Sequence, residues 1–216
     1  YFQYSPLNVH GGGGYWGHCV SSDLLCWEYR EPVLAADTPE DRSGVYSGSA
    51  LVETDRMYLF YTGNVKLPGD YDYVDAGRIS TQLMVESGDG FHMSEKRKIL
   101  GMEDYPEHMT EHVRDPKVWK ENGEYFMIVG STFHRTCGQV LFYRCREGRN
   151  WEYDSRYSSP EFGWMLECPD LFPLGDRHVF LGSPMGIMED GLEYSAQAKC
   201  WLTKWSPKSP GNSGME

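Results

Sequence analysis

No apolar run in these 216 residues approaches the ~20 needed to cross a bilayer as a helix, and no secretory signal is visible. Basic residues are scarce. Lys and Arg number 20 against 32 Asp and Glu, and the formal net charge of −12 repels phosphate backbones and anionic lipid. Nucleic acid and membrane are therefore not expected partners. The six cysteines, at 19, 26, 137, 145, 168 and 200, form no C-x-x-C and have no His at zinc-finger spacing. Neither a structural zinc site nor a dithiol redox motif is expected. Scattered free thiols fit a reducing, cytoplasmic setting, with a bridge such as Cys137–Cys145 across a hairpin as the alternative. Sustained helical periodicity is missing too, so the fold class read from the sequence is all-β.

What is present is a repeat. SGSALV begins at Ser47, RDPKVW at Arg114 and ECPDLF at Glu167, and each leads through a turn into a second apolar run: DRMYLFYTG, NGEYFMIVG and GDRHVFLGS. Ser47 to Arg114 spans 67 residues and Arg114 to Glu167 spans 53. Runs such as Met57-Tyr58-Leu59-Phe60-Tyr61 and Tyr125-Phe126-Met127-Ile128-Val129 are short, rich in β-formers and bounded by Gly or Asp. A strand-only unit recurring at this spacing predicts a β-propeller. Strands are expected over 46–63 and 79–86, again over 115–130 and 139–144, and from Met165 to Trp205. The expected organisation is one incomplete propeller domain over 1–205 and a disordered Ser/Pro/Gly-rich tail over 206–216. The glycines Gly11 to Gly14 read as a flexible loop, and Lys66 to Gly77 as a long Tyr/Asp-rich loop decorating the scaffold.

Each unit opens with small or charged residues, which an apolar core excludes unless they have partners. These openings are expected to meet at the propeller axis. Arg114-Asp115 reads either as a structural ion pair or as a carboxylate and guanidinium gripping sugar hydroxyls. Glu167 follows Trp164, Met165 and Leu166, and such apolar neighbours predict a carboxyl pushed upward by desolvation, suited to a general acid. Alternatively it is a solvated Glu at a strand start. Two carboxylates facing one funnel suggest glycosidic bond cleavage. Register points Ser47 toward the same funnel with Tyr46 beside it as a sugar-stacking candidate. Gln3 and Trp16, on early strands, are equally compatible with packing and binding.

Together these motifs resemble glycoside hydrolase family 32, the invertases, fructanases and sucrose-6-phosphate hydrolases. Tyr1-Phe2-Gln3-Tyr4-Ser5-Pro6 is similar to that family's F-Y-Q-Y-N-P. Trp16-Gly17-His18, followed by Ser22-Asp23-Leu24 and Trp27, is similar to its W-G-H…S-x-D-L-x-x-W. Tyr46-Ser47-Gly48-Ser49 resembles F-S-G-S, Arg114-Asp115-Pro116 resembles R-D-P, and Glu167-Cys168-Pro169 resembles E-C-P. The resemblance implies a five-bladed β-propeller cleaving terminal β-fructofuranosides with retention. It implies Glu167 as general acid/base, Asp115 as transition-state stabiliser, and Arg114, Gln3, Tyr46 and Ser47 lining the fructosyl pocket. Cys168 is then a neighbour rather than a nucleophile, and no metal or organic cofactor is implied.

The chain departs from the family pattern in two places. Gly11 to Gly14 occupy the position where members commonly place a substrate-facing Trp. No N-D-P-N-G, the motif that carries the family's nucleophile, occurs, and the repeat register puts its equivalent 12 residues before Tyr1, in a first blade whose start, like the closing fifth blade and a following β-sandwich, is expected to be missing. The rival reading is a non-catalytic carbohydrate-binding propeller fragment. Open propeller ends near Tyr1–Tyr4 and Cys200–Trp205 are expected to drive self-association. Sedimentation across a concentration series should show growing mass; a concentration-independent monomer with a sharp thermal transition would contradict this.

Overall fold

The computed structural model describes residues 1–5, 14–107, 109–146, 150–189, 192–194 and 198–205. The expected Gly11–Gly13 portion of the glycine loop and the 206–216 tail lie outside them. Strands form four successive antiparallel sheets. The first holds β1 (Phe2–Tyr4), β2 (Tyr15–Val20) and β3 (Glu28–Leu34). The second runs β4 (Val45–Val52), β5 (Met57–Lys66), β6 (Arg78–Ser87) and β7 (Arg97–Leu100). The third runs β8 (Met109–Glu121), β9 (Glu124–Phe133), β10 (Cys137–Cys145) and β11 (Glu152–Ser158). The fourth pairs β12 (Met165–Leu174) with β13 (Arg177–Met185), then detours through the ribbon of β14 (Ile187–Glu189) and β15 (Leu192–Tyr194) before β16 (Lys199–Thr203) joins β13. This is an all-β, incomplete propeller. Among the described residues no helix is long and apolar enough to cross a membrane.

Turn chemistry fixes the hairpins. Glu121 pairs with Glu124 across Asn122-Gly123, both at positive φ (51° and 85°), the two-residue turn whose twist suits antiparallel strands. Middle strands are buried on both faces, so they read as continuous apolar runs, and their alternation distributes side chains between two neighbours. On β5, Leu59 and Tyr61 join Trp16, Leu34 and Val85 against the first sheet, while Phe60 joins Met84, Val113 and Met127 against the third. On β9, Met127 and Val129 face the second sheet while Phe126 and Ile128 pack with Leu166, Phe180 and Trp205 of the fourth. At the chain's outer sheets, Tyr1, Phe2, Tyr4, Tyr29 and Leu202 are exposed, but Trp205 is buried.

Two expectations need correction. None of the six cysteines is in a disulfide, and Cys137 and Cys145 begin and end the same strand, β10, so no hairpin bridge between them is possible. The repeat register also shifts by two residues in its first unit. The opening strands of the second, third and fourth sheets each carry a bulge at the same place: between Val45 and Gly48, between Arg114 and Lys117, and between Glu167 and Asp170. The last pairs before it are Val45 with Gly63, Arg114 with Gly130 and Glu167 with Ser183, so Val45, not Ser47, is the counterpart of Arg114. A slip of two leaves side chains on the same face, which is why the pattern alone hides it.

Gly48, immediately after the bulge, has no room for a side chain: a Cβ there would lie 1.8 Å from the Phe60 carbonyl oxygen and 2.7 Å from the Tyr61 Cα. Both are backbone atoms, which cannot swing aside. Gly48→Ala should therefore cost about 3 kcal/mol or more by denaturant unfolding. Gly88→Ala, where nothing lies within 4 Å, should stay within about 0.5 kcal/mol.

Candidate active site

The inner-strand bulges bring the site together. Asp115 and Cys168 both sit at positive φ, 65° and 47°, a region that side chains with a Cβ avoid. The bulge detaches the Asp115 amide from the ladder, and Thr62 Oγ1 on β5 of the preceding sheet accepts it at 2.9 Å. Thr62 in turn donates to Gln82 Oε1 at 2.6 Å, and the Gln82 amide donates to Tyr105 and to the Val113 carbonyl. Thr62 and Gln82 are fully buried. A polar column thus runs beneath the site with its donors and acceptors matched.

Above it, a cavity of about 400 Å³ is lined by Gln3, Tyr46, Ser47, Arg78, His112, Arg114, Asp115, Glu167 and Cys168. That volume suits a small polar ligand. Arg114, buried on β8, reaches both acidic groups: Nη2 donates to Glu167 Oε1 at 2.8 Å, and Nε lies 3.8 Å from Asp115 Oδ2. Asp115 Oδ2 also accepts the Cys168 amide at 2.9 Å. Burial raises the Asp115 pKa, Arg114 opposes the rise, and the Glu167 charge adds to it. Partial desolvation and the Asp115 charge push the thiol of Cys168, an exposed residue, up to about 12, which disfavours its thiolate at neutral pH.

Glu167 departs from the apolar setting its sequence neighbours suggested. Met165 and Leu166 are fully buried, with Leu166 in the core between the third and fourth sheets, whereas the Glu167 side chain keeps 27% exposure and pairs with Arg114. Its environment comes from a strand 53 residues earlier rather than from its own flanks.

Ser47, Tyr46 and Gln3 line the same cavity as the two carboxylates. Trp16 does not. It is buried at 7% exposure in the core between the first two sheets, its indole N–H bonded to the Tyr46 carbonyl at 2.9 Å, and it borders an adjoining pocket shared with Tyr1, Gln3 and Ser47. Two cavity residues escaped the sequence reading. Arg78 opens β6, with Nη1 on Asn64 Oδ1 at 2.9 Å and Nε on the Tyr73 carbonyl at 2.9 Å. His112 lies two residues before Arg114, and that strand spacing was the available signal. Among the described residues, no group of three or more His, Cys, Asp or Glu is disposed to hold a metal ion.

The chain is 34% identical over 200 residues to the sucrose-6-phosphate hydrolase of Bacillus subtilis, covering 90% of this chain and 40% of that protein. It is 33% identical to a raffinose invertase of Escherichia coli, covering 97% of this chain and 44% of the relative. Among solved structures, a family 32 β-fructofuranosidase from Bombyx mori superposes with a TM-score of 0.78 at 32% identity, covering 94% of this chain and 42% of that one. The chain therefore spans about two fifths of the length of these relatives. Residues 1–210 match the model for the glycosyl hydrolases family 32 N-terminal domain, and the chain belongs to that family.

Proposed function

We propose that this chain forms the fructosyl-holding and acid/base part of a glycoside hydrolase that cleaves sucrose or a related β-fructofuranoside with retention. The observation that carries the reading is the Arg114 guanidinium serving Glu167 and Asp115 from adjacent inner strands at one cavity wall. The relatives named as hydrolases of sucrose 6-phosphate and raffinose, and a Bombyx mori variant solved with sucrose, support the substrate class.

In this reading the roles divide by mobility and burial. Asp115, 5% exposed and fixed by the Cys168 amide, is the rigid acceptor for fructosyl hydroxyls. Arg114 supplies forked donors beside it. Glu167, partly exposed and held by one N–H, can swing to the glycosidic oxygen and deliver a proton as the C–O bond breaks. Charge develops on the sugar ring in that transition state, and the Asp115 carboxylate stabilises it at short range. Tyr46, Ser47 and Gln3 complete the wall around the sugar. The covalent nucleophile of a retaining reaction comes, by family resemblance, from an N-D-P-N-G stretch that these 216 residues do not contain.

Glu167→Gln, in a version joined to that stretch, should slow sucrose cleavage by about 10²–10⁴-fold. The loss should be much smaller for an activated aryl fructoside, whose leaving group needs little protonation; equal losses would remove Glu167 from the acid role. Asp115→Asn should weaken fructose binding by the chain about 10-fold or more, read by calorimetry. Unchanged affinity would mean that Asp115 does not hold the sugar.

A further inference from the structure

An arginine between two carboxylates has a default arrangement. Its fork closes on one of them with two parallel hydrogen bonds, neutralising it. Here that closure does not occur. Nη2 takes a single Glu167 oxygen, while Nη1 points at His112 Nδ1, 2.5 Å away. A guanidinium has donors only, so Nδ1 must carry the lone pair and the His112 proton must sit on Nε2. That nitrogen lies 3.0 Å from the Tyr73 carbonyl, which accepts the proton-bearing edge.

The carbonyl is itself held in place. Tyr73 sits at φ 56° in the loop between β5 and β6, and its hydroxyl donates back to the Leu67 carbonyl at 3.1 Å. Asp72 Oδ1 accepts the amides of Val74 and Asp75, and its other oxygen pairs with Arg135 on the turn between β9 and β10. The Glu111 amide donates to the Val74 carbonyl at 3.1 Å, tying the loop to β8 beside His112. His112 is 7% exposed, with the Trp164 ring 5.8 Å away. Its groups of like charge are Arg114, Arg78 and Arg135, and with burial as the main cause they bring its pKa down to about 3. These surroundings favour the neutral imidazole.

We propose that His112 is a positioning residue: with its tautomer set by the Tyr73 carbonyl, it holds one prong of Arg114 away from Glu167 and so keeps that carboxylate from being locked into a closed ion pair. The inference rests on the sugar-binding role given to Arg114 above. It assigns to the Lys66–Gly77 loop a function exerted through its backbone, on a side chain of the next sheet.

Two substitutions separate this from a merely structural role. Asn places an amide oxygen near the Nδ1 position and can still accept from Arg114, but it is too short to reach Tyr73. Gln reaches Tyr73 and loses the acceptor facing Arg114. Fructose affinity of the full chain, by calorimetry, should fall by about 10-fold in His112→Gln and by no more than about 3-fold in His112→Asn. The reverse order, or equal losses, would overturn the proposal and leave His112 as an anchor for the loop. A second readout needs no ligand. In the unsubstituted chain, ¹⁵N spectra of the imidazole at pH 5–8 should show a protonated Nε2 and a bare Nδ1 throughout. A doubly protonated ring or the opposite tautomer would overturn the proposal even if sugar binds. If the unsubstituted chain binds no fructose, the functional reading fails while the imidazole spectrum still decides the role of His112.

Discussion

The site hangs on a backbone that is bent where a strand would otherwise run straight. Asp115 and Cys168 each occupy left-handed conformations that cost on the order of 1–3 kcal/mol, and neither could persist unless the surroundings left no alternative. The surroundings are supplied by neighbouring sheets: Thr62 takes the Asp115 amide, and Asp115 takes the Cys168 amide. Each bulge is thereby held by the blade beside it, in a chain of support that runs from the second sheet to the third and on to the fourth. The carboxylates are presented together because the distortions are coupled.

Buried charge is the second constraint. Arg114 is 7% exposed and Asp115 is 5% exposed, so both depend on partners to avoid a desolvation penalty of several kcal/mol. One guanidinium answers two acidic groups here, and a neutral imidazole completes its coordination without adding charge. Arg78, the other cation of the cavity wall, is oriented by Asn64 and by the Tyr73 carbonyl that also serves His112. Arg78 is thus held by neutral oxygens, whereas Arg114 divides itself between two carboxylates and an imidazole nitrogen.

Much of this was readable in advance, for a physical reason. Polar residues at the openings of apolar strands stand out against the pattern, so Asp115, Glu167 and Ser47 could be placed near one axis from sequence. What failed depended on distance in the chain. Glu167 takes its electrostatic partner from another sheet, and its neighbour Leu166 misleads because adjacent residues on a strand face opposite ways. The two-residue slip between Ser47 and Arg114 arises in the hairpin turns, where four residues separate Val52 from Met57 but only two separate Glu121 from Glu124. Arg78 and His112 lie outside the repeated units that Ser47, Arg114 and Glu167 open, and the loop that positions both acts through a main-chain carbonyl, which no sequence pattern displays.

The order of pairing carries a consequence for how the chain reaches this state. Except where β16 crosses the β14–β15 ribbon to join β13, every strand hydrogen-bonds to its immediate predecessor or successor. Each sheet can thus zip up from local hairpins as soon as its residues leave the ribosome, and its exposed face then waits only for the next sheet to be synthesised. The bulged strand openings are different, because their supporting bonds come from adjacent sheets. Local pairing thus allows the sheets to form in chain order, whereas the bulged openings gain their supporting bonds only once adjacent sheets meet.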